Sequence, residues 1–146
     1  MNRSNNHFPL LLVGLALGLS IASGCSKKSP WEIPYPTQGE VTLKGKPVPN
    51  AELVLHPIDA ECPQSVRPQA RTSSNGTFQA WTYREGDGVP EGRYKITVIR
   101  NEVAVSKGTI VAKPNDLPLK YASKDTTDLE VTILAGNNVL PRLELR

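Results

Sequence analysis

The sequence is poor in the side chains on which enzyme chemistry most often depends. Its 146 residues include two cysteines and two histidines, and the aromatic fraction is 5%. Most triads, zinc sites and proton shuttles need histidine or cysteine with placed partners. The sequence also has no Gly-x-Ser-x-Gly elbow, no phosphate-binding loop and no paired-cysteine zinc motif. We therefore predict a protein without catalytic residues, metal or cofactor.

The sequence also lacks a strong charge of either sign. The formal net charge is +3, from 17 basic and 14 acidic residues. Nucleic-acid binding needs a clustered basic surface, so nucleic acid is excluded as a partner. Thirteen prolines and eleven glycines disfavour long helices and favour short strands joined by turns. These numbers predict a single all-β domain.

The N-terminal apolar run is too short for a comfortable membrane span. It covers residues 10–22 and follows Arg3, an arrangement typical of a signal peptide. A spanning helix needs about 20 apolar residues, so a retained anchor helix is only the alternative. The sequence Ala22-Ser23-Gly24-Cys25 resembles a lipobox. We expect residues 1–24 to be removed and Cys25 to become the lipidated N-terminus; ordinary cleavage with a free Cys25 is the alternative.

Lipidation of Cys25 would anchor the chain to a membrane of the cell envelope. Several acyl chains, palmitate among them, hold a protein more firmly than one chain does. Ser26 follows the cysteine where retention signals have aspartate, and this resembles the rule for outer-membrane sorting. We expect an outer-membrane lipoprotein that faces the periplasm or the surface.

A proline-rich segment separates this signal from the domain. Residues 25–37 contain Pro30, Pro34 and Pro36, which favour an extended chain. We predict a tether over 25–37 and a domain over 38–146. If Cys25 carries lipid, Cys62 has no partner within the chain. Three readings of Cys62 stay open: an ordinary loop cysteine, an intermolecular disulfide or a metal thiolate.

Alternation of apolar and polar residues recurs after residue 38 between turn signals. One example is the segment 93–100, in which Tyr94, Ile96 and Val98 share a face that we place in the core. Asn75-Gly76 is typical of a tight hairpin turn. Seven or so strands at this spacing predict a two-sheet β-sandwich. Over residues 101–128 the pattern is weaker, with a strand at Thr109–Ala112 and a helical turn or loop at 117–123.

Three segments together resemble the carboxypeptidase regulatory-like domain, a transthyretin-like β-sandwich. They are residues 41–53, a strand with a Gly-x-Pro turn; residues 72–78, a Thr-x-x-x-Gly-x-Phe hairpin; and residues 92–98, a Gly-x-Tyr strand. The resemblance implies a transthyretin-like fold. Two enzyme families share that fold, the hydroxyisourate hydrolases and the intradiol dioxygenases, and both need more than one histidine. After removal of the signal, His56 alone remains.

Aromatic side chains provide the candidate contact surface. Trp81 and Tyr83 alternate along one face of a strand, and Trp31 in the tether is a further candidate. Exposed aromatic rings can bind glycans or peptides. The alternative is that the tether covers these rings. The loop that follows holds three acids, which could bind Ca²⁺ but match no EF-hand, so we interpret it as a solvated loop. These acids are Glu85, Asp87 and Glu91.

The predicted function is that of a non-catalytic envelope lipoprotein. Its sandwich contacts a protein or glycan whose identity the sequence does not reveal, or supports a larger assembly. One alternative is a small-ligand carrier, because transthyretin carries ligands between its subunits. The other is a hydrolase or metal-dependent enzyme with an unrecognised site.

Overall fold

A computed structural model describes residues 28–146. The predicted signal peptide (1–24), Cys25 and the first residues of the tether lie outside that range. The described chain consists of short strands, turns and two 3₁₀ turns, at Pro30–Glu32 and Leu119–Ala122. No helix within residues 28–146 is long and apolar enough to cross a membrane. The strands are β1 (Pro34–Tyr35), β2 (Thr37–Leu43), β3 (Lys46–Pro47), β4 (Glu52–Pro57), β5 (Gln69–Arg71), β6 (Thr77–Trp81), β7 (Val89–Pro90), β8 (Gly92–Ile99), β9 (Val103–Ser106), β10 (Thr109–Ala112), β11 (Glu130–Ile133), β12 (Asn138–Val139) and β13 (Leu143–Leu145).

Seven strands form one continuous hydrogen-bonded path. Their order is β11-β8-β4-β5-β6-β2-β12, and β3 and β13 also pair with β2. The path curls so that strands from both of its halves contribute to a single buried core. The prediction of an all-β sandwich of about seven strands is therefore confirmed.

The core is built on the pairing of β4 with β8. Leu53 lies opposite Val98 and Leu55 lies opposite Ile96 in this antiparallel register. All four side chains are at most 1% exposed. Burying a side chain of this size contributes about 1.5 to 3 kcal/mol. The alternation that predicted these strands therefore marks the face that packs inward.

Within residues 101–128, both predicted elements are confirmed. Thr109–Ala112 is β10, and a 3₁₀ turn occupies Leu119–Ala122. β10 pairs only with β9, through a turn at Lys107 and Gly108 in which both residues have positive φ. On one face of this hairpin Val103, Val105 and Ile110 are between 72% and 74% exposed. The hairpin therefore stands apart from the core.

The proline-rich segment is attached to the domain over residues 30–37. Strand β1 pairs with β7, Tyr35 opposite Val89, and Thr37 is buried. Gly88 makes this approach possible, because a Cβ atom there would lie 1.9 Å from the Tyr35 carbonyl oxygen. Ordered structure thus begins before residue 38, since the backbone of β1 finds a hydrogen-bonding edge at β7.

Tyr94 lies inside the sandwich, as predicted. Its side chain is 1% exposed, and its hydroxyl donates a hydrogen bond to the Pro90 carbonyl oxygen at 3.0 Å. Burial raises the pKa of the Tyr94 hydroxyl, so the group stays protonated and keeps donating at neutral pH. The ring fills the core while the hydroxyl reaches the backbone beside β7.

Substitution of Tyr94 should separate the contributions of ring and hydroxyl. We expect Tyr94→Phe to lower the free energy of unfolding by about 1 to 3 kcal/mol, because the Pro90 carbonyl loses its donor. Tyr94→Ala should cost about 3 to 5 kcal/mol, since it also leaves a cavity. Urea denaturation measures both losses. Leu119→Ala, at a side chain that is 76% exposed, is the control. An unchanged midpoint for Tyr94→Ala would contradict the inward placement of the ring.

The predicted Asn75-Gly76 hairpin is confirmed between β5 and β6. Gly76 has a φ of +81°, and its N–H donates to the Ser73 carbonyl at 3.0 Å. The Asn75 side-chain oxygen accepts from the Thr77 amide at 3.2 Å and from the Thr77 hydroxyl at 2.7 Å. A Cβ atom on Gly76 would lie 2.7 Å from the Val41 carbonyl oxygen. The turn therefore needs glycine for both conformation and space.

Two alanine substitutions should distinguish these requirements. Gly45→Ala, at a φ of +75° with no atom within 4 Å of the new Cβ, should cost only the conformational penalty of about 1 to 2 kcal/mol. Gly76→Ala should cost more, because the new Cβ also meets the backbone of β2. The difference between the two urea midpoints measures the steric contribution. Equal losses would show that the hairpin does not pack tightly on β2.

Candidate functional site

A groove of about 1070 Å³ lies on the outer face of the β5–β6–β2 layer. Alternation along the strands explains why polar side chains line it. Phe78 and Ala80 of β6 are buried, so Thr77, Gln79 and Trp81 point outward. We name this concavity the Trp81 groove.

Two glutamine amides lie side by side on the floor of the groove. Gln38 of β2 is directly opposite Gln79 of β6, and Val139 of β12 flanks Gln38 on its other side. Both glutamines are exposed, and within residues 28–146 neither amide side chain has a hydrogen-bond partner. A glutamine amide offers both donors and an acceptor. The pair therefore presents free hydrogen-bonding groups to solvent.

Charged side chains at the margins of the groove balance one another. Arg142 donates to the Glu40 carboxylate at 3.1 Å. Arg71 lies 3.9 Å from Glu52, and Glu85 stands on the rim. The pairs are exposed and screened by water, so they contribute little to stability. The two arginines and two glutamates that line the groove leave it close to neutral.

The structure places the three predicted aromatic residues in different surroundings. Trp81 lines the groove and packs partly against the core. Trp31 lines a second cavity of about 390 Å³. The Tyr83 hydroxyl donates to the Trp31 carbonyl oxygen at 2.5 Å, which joins those two residues. Trp31 and Tyr83 do not line the Trp81 groove.

Asp87 organises the acidic loop beside the groove. Its carboxylate accepts backbone N–H bonds from Thr82 at 2.7 Å, Tyr83 at 3.0 Å and Arg84 at 2.9 Å. These amides occupy the carboxylate oxygens that a cation would use. Among residues 28–146 no group of three or more histidine, cysteine or acidic side chains converges as a metal site.

The two remaining reactive side chains lie apart from the groove. His56 of β4 has its Nε2 atom 3.0 Å from the Thr97 hydroxyl, and burial, aided by Arg67 and Lys124, lowers its pKa. Cys62 lines the second cavity, where burial raises the pKa of its thiol. A thiol with a raised pKa stays protonated at neutral pH and is a weak nucleophile.

Sequence reasoning did not find the groove, although it identified Trp81. The sequence contains one signal for the groove, which is a row of polar residues on the outward face of each of two strands. These residues are Gln38 and Glu40 in β2 and Thr77 and Gln79 in β6. That signal becomes a site only when β2 and β6 are known to be neighbours. Their pairing joins residues about 40 positions apart and is not readable from local alternation.

Comparison with known proteins found no matching family model and no matching curated protein. The solved structures that are similar to this chain include the following three. A 9R-lipoxygenase from Cyanothece is 16% identical, with a TM-score of 0.44 over 82% of this chain and 18% of the lipoxygenase. A Pseudomonas aeruginosa protein to which carbohydrate binding has been ascribed is 17% identical, with a TM-score of 0.40 over 77% of this chain and 87% of that one. A DUF3823 family protein from Parabacteroides merdae is 16% identical, with a TM-score of 0.38 over 76% and 45%.

Proposed function

We propose that this chain is a non-catalytic, lipid-anchored module of the cell envelope that binds a glycan in the Trp81 groove. The observation that carries the proposal is the juxtaposition of an indole ring with two free glutamine amides on one open sheet face. Sugars combine an apolar C–H face with hydroxyl groups, and each part finds a counterpart here.

The amides of Gln38 and Gln79 match the hydroxyl groups of a sugar. A hydroxyl group both donates and accepts, and so does a glutamine amide. Residues directly opposite on antiparallel strands have Cβ atoms about 5 Å apart. Two neighbouring amides can therefore bind adjacent hydroxyls of one ring, while the indole of Trp81 covers the apolar face of that ring or the next.

The size and charge of the groove define the glycan further. Pockets for small molecules enclose about 300 to 1,000 Å³, and a groove of about 1070 Å³ at the surface suits a chain of several sugars. This argues for an oligosaccharide over the small ligand of a carrier protein. The balance between Arg71 with Arg142 and Glu40 with Glu85 favours a neutral glycan.

The envelope location in this proposal rests on the N-terminal sequence. The short apolar run and the lipobox-like Ala22-Ser23-Gly24-Cys25 support lipidation of Cys25, and Ser26 supports an outer-membrane location.

The resemblance to the carboxypeptidase regulatory-like domain is supported by the positions of its three segments in the fold. They cover β2 to β4, the β5–β6 hairpin and β8, in that order.

Glycan binding should depend on Trp81. We expect the detergent-solubilised protein to bind a neutral oligosaccharide on a glycan array and in calorimetric titration. Trp81→Ala should weaken binding at least about tenfold, equivalent to about 1.4 kcal/mol. Gln79→Ala should weaken it about threefold to tenfold, because one hydrogen bond contributes about 0.5 to 1.5 kcal/mol. Trp31→Ala, outside the groove, is the matched control. Equal affinity of the Trp81→Ala and Trp31→Ala proteins would contradict the site.

Lipidation has its own test. Mass spectrometry of the native protein should show a mature chain that starts at acylated Cys25. Cys25→Ser should block lipidation and with it cleavage, so that a precursor that still carries residues 1–24 accumulates. A native chain that starts at another residue, or that carries an unmodified Cys25, would refute the proposed anchor and leave the groove proposal untouched.

A further inference from the structure

We infer that the end of the domain formed by Trp31, Ile33 and Tyr83 lies against the phospholipid headgroups of the membrane. We name these three residues the Trp31 patch. The inference goes beyond glycan binding and rests on the anchor part of the proposed function.

The patch has the composition of a membrane-interface surface. Tyr83 is 52% exposed and Ile33 is 39% exposed, while Trp31 is half-buried. The bond from the Tyr83 hydroxyl to the Trp31 carbonyl holds the two aromatic residues together. Tryptophan and tyrosine favour the headgroup level of a bilayer, where an apolar ring and a polar group are both accommodated.

The distance to the proposed anchor keeps this patch near the membrane. Because residues 30–37 are attached to the domain, only residues 26–29 can act as a spacer between Cys25 and Pro30. Five Cα steps of at most about 3.6 Å span about 18 Å. A domain of this length is about 35 Å across. The spacer is therefore shorter than the domain, and the Trp31 end must stay beside the bilayer.

The exposed β9–β10 hairpin is a second apolar surface that could contact the membrane. The direction of β8 shows that it lies far from Trp31. Gly92, at the start of β8, lines the same cavity as Trp31. From there β8 runs seven residue steps to Ile99, which is about 23 Å at 3.3 Å per residue. The hairpin follows the far end of that strand. A domain anchored at Trp31 therefore presents Val103, Val105 and Ile110 away from the attachment point.

Charges near the patch favour contact through the rings over attraction to anionic lipid. Three bases lie near the patch, together with five acids, of which three line the same cavity as Trp31. The bases are Lys28, Arg84 and Arg93, and the acids are Glu32, Asp87, Asp59, Glu61 and Glu91. Asp87 is already bonded to three backbone amides. Because acids outnumber bases here, the contact does not depend on anionic lipid and should be at least as strong on zwitterionic bilayers.

The orientation can be measured by quenching of tryptophan fluorescence. Trp81→Phe leaves Trp31 as the single tryptophan of the chain, which has two. The full-length lipidated protein is reconstituted in phosphatidylethanolamine–phosphatidylglycerol vesicles, with and without brominated acyl chains. We expect bromine to reduce Trp31 emission by about twofold, as for a side chain at the interface. The quenching should persist in vesicles of phosphatidylcholine.

Matched variants separate the patch from the hairpin. In the Trp81→Phe background, Ile33→Ser and Tyr83→Ser should each reduce the quenching, whereas Val103→Ser and Val105→Ser should leave it unchanged. Circular dichroism of each variant confirms that the domain is folded. Loss of quenching in the Val103 or Val105 variants would overturn the inference in favour of a hairpin contact.

Mass spectrometry of the same sample distinguishes the two possible failures. If Cys25 is acylated and Trp31 emission is unaffected by bromine, the patch does not contact lipid, and the inference falls while the anchor stands. If Cys25 is unmodified, the proposed anchor fails and the inference fails with it. The glycan titration depends on neither result.

Discussion

Strand β2 is paired with other strands on both edges over most of its length. One edge pairs with β6 and β3, and the other pairs in parallel with β12 and then β13. The end of this strand is closed by Glu144, whose carboxylate accepts from the Thr42 hydroxyl and, at 2.9 Å, from the Gly45 amide. These two donors lower the pKa of Glu144. Strands from opposite ends of the domain therefore meet on one segment of seven residues.

One face of β2 packs into the core, and the opposite face lines the Trp81 groove. Val41 is fully buried, and Gly39 lies under the Phe78 ring, where a Cβ atom would approach within 2.7 Å of the ring. The residues that alternate with them along the strand, Gln38 and Glu40, line the groove. Because side chains alternate across a strand, a shift of one residue would exchange the two sets. The register that buries the core thus also places the amides of the groove.

Local sequence signals predicted those parts of the fold that depend on neighbouring residues. Alternation identified the inward side of β8, including Tyr94, and the conformational freedom of Gly76 identified the β5–β6 turn. Local signals of this kind do not predict which distant segments pair with each other. β1 and β12 have two residues each, too few for any periodicity. The prolines before residue 38 predicted an extended tether, and its aromatic residues Trp31 and Tyr35 were expected to pack back on the domain. The strand pairing that attaches it depends on Gly88, some fifty residues away, and had no local signal. For the same reason the groove was not predicted, although Trp81 was recognised as a candidate contact residue.

The parallel pairing of β2 with β13 sets the order of events during biosynthesis. Thr42 and Glu144, which meet at the end of β2, are 102 residues apart. The ribosome adds roughly 5 to 20 residues per second, so β13 is synthesised about 5 to 20 s after β2. Until then one edge of β2 is open, and the nascent chain cannot close its sandwich. Any factor that binds the chain before β13 has been synthesised therefore meets a sheet with an unpaired edge.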